Sequence, residues 1–147
     1  MTTCRPAPDR GSMTVEVAFL LVLLVVPLFY LVGTVGRVQA GAYAVTAAAR
    51  EAGRSYVTAD SVQDAPLRAE AAAGLVAQAH GFGAGDVRLG LGCGEPGCLE
   101  PGSVVVVDAV VEVQLPLVPD FMAGRLPASI TLTAQHTESV DVFREQG

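Results

Sequence analysis

The chain has 147 residues, 51% of them hydrophobic and 16% charged, against roughly 25% charged in average globular domains; this length holds about one domain. Nine basic residues, all arginine, face fifteen acidic ones for a net charge of −6, which excludes nucleic-acid binding because phosphate neutralisation needs a basic face. Asn, Lys and Trp are absent and Ile130 is the single isoleucine, a bias read as high-G+C coding that weakens any argument from alanine or glycine frequency alone.

In chain order, residues 1–11 form a short leader with Arg5 and Arg10 against Asp9. Val17 to Val35 then runs without a charge, VAFLLVLLVVPLFYLVGTV. As a helix these residues rise roughly 29 Å, enough to cross the hydrocarbon of a bilayer. So short a chain has no second layer to bury an all-apolar helix, so the segment reads as transmembrane. Pro27 is tolerable there, since helices in lipid kink and re-satisfy the freed carbonyl. Seven Arg and thirteen Asp or Glu follow Val35, so the basic-side rule predicts a cytoplasmic N-terminus and an extracytoplasmic remainder, with one pass through the cytoplasmic membrane. Val38-Gln39-Ala40 before Gly41 loosely fits a signal-cleavage site, but the apolar stretch exceeds an ordinary signal core and the helical pattern runs through the scissile position.

Glu16 stands directly before the apolar run. A carboxylate at membrane depth costs several kcal/mol unless paired, so it marks a candidate contact; its bland alternative is a place among lipid head groups. If the chain were cut between Gly11 and Ser12, Glu16 would be the fifth residue of the mature chain. The carboxylate of one subunit could then neutralise the terminal amine of another, linking assembly to axial register.

A leader ending Arg10-Gly11, then Ser12-x-x-x-Glu16, then an apolar helix, resembles the class III signal of type IV pilins and pseudopilins. With Gly36-Arg37 and Thr46-Ala47-Ala48-Ala49-Arg50-Glu51-Ala52-Gly53-Arg54, the chain is similar to the TadE-like family of tight-adherence, Flp-type pilus systems. The similarity covers roughly Asp9 to Tyr56, and the rest in general layout. It implies a minor pseudopilin, processed by a prepilin peptidase and partnered by other pilin-like subunits and the pilus assembly platform. Val17 stands where major Flp pilins have Tyr. Cleavage after Gly11 would leave 136 of the 147 residues, too many for a major Flp pilin. Larger TadG-like relatives can carry a von Willebrand-type metal site, but no Asp-x-Ser-x-Ser occurs here, and no metal or other cofactor is inferred.

Alanine-rich and proline-free, Gln39 to Gly53 continues the helix to about Tyr56. Met13 to Tyr56 would then be one element on the order of 65 Å long, projecting from the membrane. Gly36, Ala40, Ala44, Ala48 and Ala52 recur at i+4 as a small-residue stripe that would admit another helix closely; an alanine-rich background also produces such stripes. Arg50, Glu51 and Arg54 are expected on a polar face.

Asp60-Ser61 reads as the entry to a second helix over Ala65 to Ala79, with Pro66 in its first turn and His80-Gly81-Phe82-Gly83 as its stop. Strands are expected near Asp86–Gly92, Ser103–Leu115 and Ser129–Phe143. Pro116, Pro119 and Pro127 mark a loop that holds Phe121 and Met122. The fold class is α+β: a long N-terminal transmembrane helix (12–57) continuing into a small extracytoplasmic head (58–147) of a second helix and about three antiparallel strands. The second helix, joined by the end of the first, should cover one sheet face.

Cys93 and Cys98 flank a turn-like stretch and are expected to form a disulfide outside the cytoplasm, while Cys4 in the leader should stay a thiol. Four intervening residues do not match thioredoxin-like spacing. His80 and His136 are expected as surface or strand residues. Ser103, His136 and Asp141 could be named as a nucleophile set, but no local signature supports it. Asp108 and Glu112 share one strand face, read as the wet one. No small-molecule substrate is inferred, and the chain reads as non-enzymatic. The alternative is a signal-anchored extracytoplasmic binding module unrelated to pili, which would be uncleaved at Gly11 and tolerant of change at Glu16.

Overall fold

A computed structural model describes residues 12–95, 97–115 and 129–143. Helix α1 spans Ser12–Val57 and α2 spans Ala65–Ala79; a 3-10 turn at Ala84–Asp86 leads into strands β1 (Val87–Cys93), β2 (Val104–Gln114) and β3 (Ser129–Ser139). Residues 1–11, Pro96 and residues 116–128, where the leader and a proline-containing loop are expected, lie outside the described residues.

At 46 residues, α1 is about 69 Å long. It runs unbroken through Pro27, which has no N–H to offer the Leu23 carbonyl. It ends where Thr58 turns back on Arg54, donating from both its backbone N–H (3.2 Å) and its hydroxyl (2.8 Å) to the Arg54 carbonyl. The entry to α2 is a turn and not a side-chain cap at Asp60-Ser61: the Ser61 hydroxyl donates to Asp64 (2.8 Å) and accepts from the Asp64 N–H (3.1 Å). Pro66 occupies the first turn, where its missing N–H costs nothing. Gly81 stops α2 at φ 79°, which lets the Phe82 N–H reach back to the Ala77 carbonyl at 2.9 Å.

The strands form one antiparallel sheet in the order β1-β2-β3. Register pairs Val87 with Val111 and Leu91 with Val107 on one side of β2, and Ile130 with Val113 and His136 with Val107 on the other. Along β2 the alternation is clean: Val105, Val107, Ala109, Val111 and Val113 are wholly buried, as period-two patterning requires of a strand with one covered face. On the opposite face Asp108 accepts from Gln135 and Glu112 accepts from Ser129, so the carboxylate pair lies on the exposed side, as expected.

Two expectations about the fold change. The expected third strand, Ser129 to Phe143, stops at Ser139, because Val140 turns inward to donate to the Ser103 carbonyl and Asp141 caps a turn by accepting the Phe143 N–H. The main cover of the sheet is α1, with α2 beside it. Gly41 lies against Val113 and Leu132, and a methyl group at Gly53 would meet Glu138 and His136 at 3.4 Å and Val107 at 3.5 Å. Ala65, Ala69, Ala73 and Ala77 of α2 are almost fully buried. The first three share a cluster with Ala48, Ala52 and Tyr56 of α1, and Ala77 shares one with Ala44, Val45 and Ala49. Small side chains on both helices let the backbones approach closely, so the core is thin and made largely of alanine and valine.

Candidate functional site

Nearly all of α1 before the head is exposed, and the most apolar 18-residue window has no residue buried inside the protein. The helix is long and apolar enough to cross a membrane. Phe19, Leu20, Leu21, Leu23, Leu24, Phe29 and Leu31 are more than half exposed, which in water would be an unsupported patch far above what soluble surfaces carry.

Ser12 is the first residue of α1 and Glu16 lies one turn later, exposed; Gly11 lies outside the described residues. Among the described residues Glu16 makes no ion pair.

The small-residue stripe divides in two. Ala44, Ala48 and Ala52 are 0% exposed and are used within the chain, where α2 and the sheet pack on them. Ala40 is half-buried beside the same core. Gly36 is exposed with nothing near it. The helix that the alanines admit closely is therefore the chain's own α2.

The junction between apolar segment and head is built by residues that periodicity does not single out. Arg37, two residues past Val35, places its guanidinium 4.9 Å from the centre of the Phe82 ring and donates to the Gly81 carbonyl at 3.4 Å. Phe82 is buried in turn under the core that holds Val45 and Val113. Gly41 follows one turn later, where a side chain would collide with Val113. The head thus closes on α1 immediately beyond the apolar run. A glycine in an otherwise helix-favouring stretch was the available signal for Gly41; nothing local marked the Arg37–Phe82 pair, which is 45 residues apart in sequence.

Cys93 and Cys98 form a disulfide at the far end of the head, where the Tyr56 hydroxyl lies 3.7 Å from the Cys93 sulfur. Ser103 is buried and bonded through its backbone near Val140, while His136 pairs with Val107, four residues further along β2, a separation of roughly 13 Å by strand rise. His136 contacts Glu138 at 3.1 Å instead. The structure does not bring Ser103 and His136 together. Among the described residues no group of three or more His, Cys, Asp or Glu is placed to hold a metal ion. No protein-family model, no curated protein and no solved structure matches this chain.

Proposed function

We propose that the chain is a pilin-like minor subunit or assembly component of a tight-adherence, Flp-type pilus or secretion system, anchored by α1 in the cytoplasmic membrane with its head outside the cytoplasm. The observation that carries this reading is the continuity of α1: one helix passes from an exposed apolar segment straight into the core of a small α+β head. A flexible linker would let a head move independently of its anchor, whereas this helix transmits position and axial register from one to the other. Glu16 near the start of the helix supplies the contact, pairing with an amine of another subunit so that two charges costly in lipid cancel. The disulfide fits an oxidising compartment for the head.

The test is the N-terminus of the protein purified from membranes in which the matching prepilin peptidase is co-expressed. Mass spectrometry is expected to find a chain beginning at Ser12. A chain still beginning at Met1 would count against processing and favour the signal-anchored module.

A further inference from the structure

The residues that pack on the head form a helical series, Gly41, Val45, Ala48 and Ala52, all buried. Extended toward the N-terminus in steps of three or four, the same series passes through Val38, Thr34, Tyr30, Pro27, Leu23, Leu20 and Glu16. From Glu16 to Ala52 the mean step is 3.6 residues, the α-helical repeat, so all of these positions share one face. That face gathers the hydrogen-bonding groups of the apolar segment: the Glu16 carboxylate, the Leu23 carbonyl that Pro27 leaves without its helical donor, the Tyr30 phenol and the Thr34 hydroxyl. The Thr34 oxygen is enclosed and has no hydrogen-bond partner, although Thr46 and Thr58 in and after the same helix both donate to carbonyls four residues back. Val25 and Val32, on the opposite face, carry no such groups. In lipid no water satisfies these groups, so a face bearing several of them calls for a protein partner.

The head limits what that partner can be. It sits on this same face, its lower rim beginning at Arg37 and Gly41, with Val113 pressed against the Gly41 backbone. A second copy docked here in register would drive its own α1 extension into the sheet. We propose that this face of α1 binds a transmembrane helix of a different chain, one that ends at the membrane surface beneath the head and brings donors to the Leu23, Tyr30 and Thr34 level. The inference rests on the reading of α1 as a membrane span and adds to it the face used and the kind of partner that fits.

The experiment is photo-cross-linking of the full-length protein in its native membranes, with benzoyl-phenylalanine placed singly at Leu20, Tyr30 or Thr34 and, on the opposite face, at Val25 or Val32. The expected result is at least five-fold more adduct from the first three positions. The cross-linked peptide should map by mass spectrometry to a membrane helix of another chain that ends at the outer surface. Combining Tyr30→Phe with Thr34→Val, which keeps size and insertion, should reduce the Leu20 adduct several-fold. Equal yields from both faces, no adduct from either face, or a homodimeric adduct from the Glu16–Thr34 face would overturn the inference while α1 stays resistant to carbonate extraction. Release of the protein by carbonate would instead overturn the membrane reading, and this inference with it.

Discussion

The guanidinium of Arg37 stacks over the Phe82 ring at 4.9 Å and donates to the neighbouring Gly81 carbonyl at 3.4 Å, tying the stop of α2 to the point where α1 leaves its apolar segment. Two weak contacts thereby hold the lower edge of the head against the helix. Arg37→Ala should lower stability by about 0.5–2 kcal/mol and loosen the head at this edge. Thermal unfolding in detergent measures the first, and hydrogen exchange across residues 80–86 the second. Arg37→Lys should retain part of the stability, since it keeps the charge but loses the planar fork. Unaltered exchange in the alanine variant would mean the clamp contributes nothing.

Gly41 is required for close approach, because any Cβ there meets Val113 and Leu132. Gly41→Val should destabilise the head by about 1–3 kcal/mol or more through overpacking, whereas Gly36→Val, at a position with open space, should leave its unfolding midpoint unchanged. Chemical denaturation followed by circular dichroism of the two variants checks the contrast.

Ala48 is fully buried between α2 and the sheet. Enlarging it in Ala48→Leu should cost about 1–3 kcal/mol and separate α2 from α1. If the stripe served an outside helix alone, this variant would fold as stably as the parent and fail only in assembly.

The loop closed by Cys93 and Cys98 has a sequence separation of 5, so the chain-entropy argument gives it about 2 kcal/mol. Replacing both cysteines by serine should lower the free energy of unfolding by about that amount, and a reducing agent should do the same to the parent but not to the variant.

Glu16→Ala should leave α1 inserted, since it removes only a costly charge, yet reduce co-purification with pilin-like subunits at least several-fold. Co-purification at the parent level would remove the role proposed for this carboxylate.

The elements were legible because their causes are local. A run of nineteen uncharged residues, an alanine-rich stretch with proline in its first turn, and β-branched alternation along β2 each impose their own period, and the helix and strand boundaries fall within a residue or two of those patterns. The end of β3 was not legible: Val142 and Phe143 continue an apolar pattern, and only the turn capped by Asp141 and the bond from Val140 to Ser103 stop the strand.

What local pattern could not decide was who packs on whom. The i+4 series of small residues specifies a surface that another helix can approach, but a small side chain is equally suited to a neighbour in the same chain or in a different one. Chain connectivity resolved this at Ala44, Ala48 and Ala52, because a short turn folds α2 back onto them. The pairing of Arg37 with Phe82 and the contact of Gly41 with Val113 join residues 45 and 72 positions apart, and neither partner's neighbours in sequence encode the other. Composition and periodicity therefore set the apolar helix, the α+β head and the cysteine pair. Tertiary packing set the face on which the head sits, and with it the placing of the head above the side of α1 where the helical period already gathers the polar groups.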